Sequence, residues 1–356
     1  MPSPVIRCRQ CGYQFALDSH DLDEGRAPCR QCGATVPIRG VRPGSRSSKP
    51  SGGSYLYVWV IAGIVLAGLL AIGCCGGLIF FAFKSMQPTE FPDQTQDYAD
   101  ARKTFKTKLV KSGPAPQNNW VAEAPPPGVT EVTYTSGGLK LKAWINKPKP
   151  GEAPMPAVLY LHSGYAFETS HWDQCQPFRD AGFVTMTPLL RGENGQPGAF
   201  SFFYDEVDDA VAAAEMLAAT PGVDPKHVFV AGHGTGGTLA LLCAMTSKRF
   251  KGCASFSGSP DQVTFLRGQK HVVTFDQNDP NEFAMRSPLA YPKSFKCPVR
   301  LYIGDTDLPI AMSSQKLAEK AGAVGLNVQA SEVEGDLESD VGPAMAEAII
   351  FFKNLP

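Results

Sequence analysis

Two sets of residues in this 356-residue chain have types and spacings that could do chemistry. The first is Gly232-His233-Gly234-Thr235-Gly236-Gly237, which follows the apolar run Val228–Ala231 and precedes the helix-forming stretch Thr238–Met245. A strand that turns sharply on glycines into a helix is the setting of G-x-S-x-G, where the central serine is exposed as a nucleophile. Here the flanking glycines are at 232 and 236, but the central position is Gly234, which has no side chain to attack with. Thr235 as a substitute would place His233 at the first glycine position. It would also put a β-branched residue where φ is usually positive, a conformation that residue tolerates poorly. The second set is Cys8-Arg9-Gln10-Cys11 and Cys29-Arg30-Gln31-Cys32, each followed by glycine and separated by residues 12–28. This is the spacing of a four-thiolate zinc site. Four thiolates fill a tetrahedral shell, so the zinc expected on Cys8, Cys11, Cys29 and Cys32 is structural rather than catalytic. The alternative is two redox or disulfide pairs.

The glycine-rich turn needs elements to hold it. From Gly128 onward, short apolar runs alternate with helical patterns. Val129–Thr135 and Leu139–Ile145 read as a hairpin turning at Gly137-Gly138. Ala157–Leu161, Phe183–Thr187, Val228–Ala231, Cys253–Phe256 and Val299–Ile303 read as buried parallel strands. Helices are expected over His171–Ala181, Tyr204–Ala219, Thr238–Ser247, Ser313–Ala321 and Ala344–Phe352. Together they predict an α/β fold with a doubly wound, mostly parallel sheet.

Residues 128–356 resemble an α/β-hydrolase, with likeness to the catalytic domain of prolyl-oligopeptidase-type serine peptidases and to dienelactone-hydrolase-like proteins. Leu161-His162-Ser163-Gly164 resembles the HGG-type turn, Arg191-Gly192-Glu193-Asn194-Gly195 the RGxxG loop of the peptidases, and Ile303-Gly304-Asp305-Thr306-Asp307 the loop carrying the catalytic acid. The resemblance implies a triad in the order serine, acid, histidine. Asp307 fills the acid position, and Gly234 replaces the nucleophile. Glu338, in Gly335-Asp336-Leu337-Glu338, stands at the expected histidine position, and no histidine follows His271. The resemblance further implies an oxyanion-hole-like pair from the Thr235 N–H and one from Gly164 or Tyr165. Such a pair could hold a carbonyl or carboxylate ligand. His162 is expected to form structural hydrogen bonds, and His233 to point away from the turn's centre.

The N-terminal part divides differently. Residues 1–40 are expected to form a zinc ribbon and 41–54 a basic linker. Residues 55–83 (Tyr55–Phe83) carry no charge and are expected to span a membrane. Residues 84–127 read as a Pro-rich tether. Arg39, Arg42, Arg46 and Lys49 precede the apolar run and acids follow it, which predicts a single-pass protein with a cytoplasmic N-terminus and an extracytoplasmic hydrolase-like domain. Gly63, Ala67 and Ala71 form a small-residue stripe suited to a homodimer. The formal net charge of −1 argues against a general nucleic-acid-binding surface, and the ribbon's five arginines against four acids do not indicate one. The expected function is that of a pseudo-hydrolase used for binding or scaffolding. Its alternatives are an active ester or peptide hydrolase with unconventional residues, and a transmembrane sensor coupling an outer ligand to a protein partner of the ribbon.

Overall fold

The computed structural model describes residues 4–18, 21, 26–38, 86–116, 120–148, 151, 153–269, 271–337 and 339–356. The chain divides into two units, Met1–Gly77 and Leu78–Pro356.

In the first unit two short hairpins, Val5–Arg7 with Gln14–Ala16 and Arg26–Pro28 with Thr35–Pro37, each present one cysteine pair at the turn. Gly12 and Gly33 sit at φ 77 and 73 and donate their N–H to the carbonyls of Cys8 and Cys29. Only glycine adopts that backbone without cost, so each pair folds back on itself. Phe15, Leu17, Ala27 and Val36 form the small core beside Cys8 and Cys29.

The second unit is built on an eight-stranded sheet: β1 (Thr130–Ser136), β2 (Leu139–Ile145), β3 (Met155–Leu161), β4 (Val184–Pro188), β5 (Val223–His233), β6 (Cys253–Phe256), β7 (Val299–Gly304) and β8 (Val328–Val333). Their spatial order is β8-β7-β6-β5-β3-β4-β2-β1. β3 to β8 pair parallel, and the β1–β2 hairpin adds antiparallel strands at one edge. Both faces are covered, which is why the central strands read as continuous apolar runs. Along β3, Ala157, Leu159 and Leu161 join one core while Val158 and Tyr160 join the other.

The main helices are α1 (Tyr98–Thr104), α2 (Glu206–Ala218), α3 (Thr235–Thr246), α4 (Leu308–Gly322) and α5 (Val341–Lys353). The helix expected over His171–Ala181 is two short pieces, Thr169–Gln174 and Gln176–Asp180, with Pro177 opening the second. Proline has no N–H to continue the first helix.

Two expectations change. Part of the stretch read as a tether packs onto the sheet unit. Tyr98 is fully buried with its hydroxyl donating to Met285 O (2.8 Å), and Arg102 donates to Tyr204 O and pairs with Asp208 (2.7 Å). The localisation is also corrected: among the described residues no helix is long and apolar enough to cross a membrane. The expected span 55–83, its small-residue stripe and the basic linker 41–54 lie outside the described residues.

Candidate functional site

The glycine turn joins β5 to α3 at the carboxyl end of the sheet. Gly234 has φ 53 and ψ −115, donates its N–H to Phe256 O (2.8 Å) and accepts from Thr238 N–H (3.1 Å). Its neighbours are glycine for want of space. A Cβ on Gly232 would lie 2.3 Å from Gly236 O, and one on Gly236 would lie 2.1 Å from Leu161 O. These approaches set α3 directly against the ends of β3 and β5. A Cβ on Gly234 would meet only Ser163 Cβ, at an ordinary 3.5 Å. The turn therefore has room for a side chain at its centre and carries none.

A cavity of about 670 Å³ opens at this turn, and it brings together the sequence-predicted Gly164, Tyr165, Gly234, Thr235 and Asp307. Glu338 lies outside the described residues, although its neighbour Leu337 lines the cavity. Met86, Phe265, Pro309 and Ile310 give the wall its apolar character. Burial pushes the Tyr165 phenol up to about 12. The Thr235 hydroxyl donates to Gly164 O at 3.0 Å, a bond to a carbonyl rather than to a base. Asp307 caps α4, accepting from Ile310 N–H at 3.2 Å.

His162 and His171 are committed outside the cavity. His162 sits between Ser163 O (2.9 Å) and the Glu193 carboxylate (3.2 Å). Burial works against its charged form, but Glu193 more than offsets this and the imidazole titrates above its ordinary value. Glu193 belongs to the loop after β4, which Arg191 clamps to Asp209 of α2 with bonds of 2.6 and 2.8 Å. His171, its ring 5.0 Å from that of His162, is pushed down to about 3 by burial and by the neighbouring imidazoles.

His233 does not point away from the site as alternation along the strand would require. It lines the cavity, bonds Leu337 O through Nε2 (2.5 Å) and lies 3.6 Å from the Asp340 carboxylate. Asp340 is fully buried, accepts from the Ser257 hydroxyl, and is raised above its ordinary value by that burial. Ser257, at φ 45, in turn accepts from Gly304 N–H (3.1 Å). This His233–Asp340–Ser257 cluster was not found by sequence reasoning. No spacing rule links three residues on β5, after β6 and before α5. The one available signal was a histidine beside the turn's central position.

In the first unit the Sγ atoms of Cys8, Cys11, Cys29 and Cys32 all lie within 4.8 Å of one another, with Cys8–Cys32 at 3.7 Å and Cys11–Cys29 at 3.6 Å. A tetrahedral ion with bonds of about 2.3 Å holds its sulfurs about 3.8 Å apart. The donor set fits such an ion with no coordination position left for a substrate.

Residues 141–331, more than half of the chain, match the family model described as dienelactone hydrolase family. The Bacillus subtilis protein named Uncharacterized peptidase YtmA is 25% identical over 200 residues, covering 53% of this chain and 77% of the relative. The puromycin-hydrolyzing peptidase of Mycobacterium tuberculosis superposes with a TM-score of 0.56 at 20% identity, over 66% of this chain and 41% of that one. The hyperthermophilic esterase of Pyrobaculum calidifontis gives 0.52 at 17% identity, over 65% and 86%. The structural likenesses carry the fold, and the chain spans less than half of the mycobacterial peptidase.

Proposed function

The chain belongs to the dienelactone hydrolase family of hydrolases and peptidases, and from that premise we propose that its α/β-hydrolase domain is a binding module that has lost catalysis. Gly234 carries this reading: the turn keeps its backbone and its room for a side chain, yet holds no nucleophile. The nearest hydroxyl, Thr235, is bonded to a carbonyl, and no histidine follows Asp307 to act as base. What remains is a cavity walled by apolar Met86, Phe265, Pro309 and Ile310 together with polar Thr264, Arg267 and Gln269 and, at the start of α3, backbone N–H groups that no side chain caps. Those groups suit a carbonyl or carboxylate of a ligand. Gly164 or Tyr165 would supply the second donor. The cysteine module is read as a structural zinc ribbon that offers a surface to a protein partner.

The test uses the full chain with aryl esters, aminoacyl anilides and a fluorophosphonate probe. Neither turnover above buffer nor labelling is expected. Turnover that disappears in Asp307→Asn overturns the reading. One observation favours a second reading, hydrolysis by an activated water: the buried His233–Asp340 pair beside the turn. That reading requires turnover abolished by His233→Asn, whereas the binding module predicts none to abolish.

A further inference from the structure

Two distant stretches of chain contribute to the cavity wall and are joined by one carboxylate. Ser259, Thr264 and Phe265 come from the segment after β6, and Met86 comes from far earlier in the sequence. The later stretch is fixed to the body of the unit: Gln262 N–H donates to Ser287 Oγ (3.0 Å) and Leu289 N–H to Pro260 O (3.0 Å). Asp261 is fully buried and caps the short helix Gln262–Phe265, accepting from Val263 N–H (3.0 Å), Thr264 N–H (3.3 Å) and the Thr264 hydroxyl (2.8 Å). The same carboxylate accepts from Thr89 N–H at 2.7 Å.

The earlier stretch, residues 86–96, is held more lightly. Among the described residues its polar links to other elements are that Thr89 bond and the pairing of Glu90 with Lys316 and Lys320 of α4. The Glu90 side chain is 79% exposed, so its pairing contributes little. The Thr89 hydroxyl is buried without a partner among the described residues, which works against the docked position. Phe91 packs on the main core, and Pro88 and Pro92 stiffen the chain around it. From Asp97 onward the anchorage is firm: Asp97 pairs with Lys296, and Tyr98 N–H donates to Ser294 Oγ (3.0 Å). A short stiff segment therefore hangs on one buried bond, with Met86 at its cavity end.

We propose that residues 86–91 are a strap that gates the cavity, with Thr89 N–H and Asp261 as its latch. Docked, the strap sets Met86 in the cavity wall. Released, it pivots at Phe91, carries Met86 away and widens the entrance. The fixed wall keeps its own cap in both positions, because Val263 and Thr264 still donate to Asp261. The gate serves a bound ligand or a substrate alike, so it stands whether or not the domain has lost catalysis.

The test places a thiol in the cavity by Ser163→Cys in the full chain. Its alkylation is followed by peptide mass spectrometry, with iodoacetamide as a small probe and fluorescein maleimide as a bulky one. Thr89→Pro deletes the N–H donor and leaves Asp261 in place. It should speed the bulky reagent at residue 163 about tenfold or more, a latch of about 1.4 kcal/mol, and leave the iodoacetamide rate nearly unchanged. Amide hydrogen exchange across 86–91 should rise while Gln262–Phe265 keeps its protection. Met86→Ala, which leaves the latch intact, should also admit the bulky reagent faster without raising exchange across the segment. The proposal fails if fluorescein maleimide reacts at the same rate with and without these changes. It fails equally if Thr89→Pro exposes Gln262–Phe265 along with the strap.

Discussion

Replacing Gly234 with alanine separates two reasons for a glycine in the turn, backbone conformation and lack of space. At φ 53 and ψ −115 an L-residue is strained, at a cost of about 1–3 kcal/mol. The added Cβ contributes no further penalty, because it meets Ser163 Cβ at 3.5 Å. The same change at Gly236 places a methyl 2.1 Å from Leu161 O, and at Gly232 2.3 Å from Gly236 O. Both neighbours are backbone carbonyls that cannot swing aside, so each of these variants should lose more than about 4 kcal/mol. Urea unfolding of the full chain, followed by the fluorescence of the buried Trp144 and Trp172, ranks the three variants. Gly234→Ala should fold with a melting temperature several degrees lower, and Gly232→Ala and Gly236→Ala should be largely unfolded. If Gly234→Ala is as damaging as Gly236→Ala, the turn has no room for a side chain, and the inference that chemistry alone was lost is wrong. If it costs nothing, the positive φ is not a strain.

Four further outcomes follow from the same geometry. Gly234→Ser should remain unlabelled by fluorophosphonate, since His233 is held at Leu337 O and no histidine follows Asp307 in the sequence; labelling refutes this. Arg286 is fully buried and paired with Glu282, so Arg286→Met should cost about 3–5 kcal/mol in urea unfolding by stranding that carboxylate, and a loss under about 1 kcal/mol would contradict it. Glu206 is raised by burial from 4.5 to about 7, so its contribution is complete below about pH 4.5 and lost as pH rises through 7. It amounts to roughly 3 kcal/mol, and Glu206→Gln should flatten the stability profile across that window; an unchanged profile rejects the assignment. Chelation should release zinc and unfold the cysteine module while the near-ultraviolet signal of Trp144 and Trp172 persists; a chain that holds no zinc refutes the metal assignment.

The alternating apolar runs carried enough information to place most of the sheet, and the glycine run located the turn between β5 and α3. The lost nucleophile was equally legible, because the identity of residue 234 is a fact of sequence and so is the position of the last histidine. β8 was missed because Gln329, Ser331 and Glu332 make it polar, as an edge strand can be. Helix α1 was missed because seven residues in a proline-containing segment give little periodicity; it is stable through Tyr98 and Arg102, whose partners lie far along the chain. The orientation of His233 could not be derived from strand alternation, because the strand ends there and the backbone turns. Asp340 and Ser257 meet His233 only through the sheet order, which brings β5, β6 and β7 side by side.

Helix α1 also decides where this protein can be cut. A fragment beginning at residue 128 matches the stretch that resembles a hydrolase, and it would seem the natural piece to express. It would lack Tyr98, Ala101 and Ala115, all buried in the same core as Tyr204, Met285 and Tyr291. It would also lack the Thr107 hydroxyl, which donates to Glu282 and accepts from Arg286 (2.7 Å). The cut would open a greasy trough beside a buried ion pair short of a hydrogen bond. Aggregation or silence of such a fragment would report the missing residues before 128, and would say nothing about the cavity at Gly234.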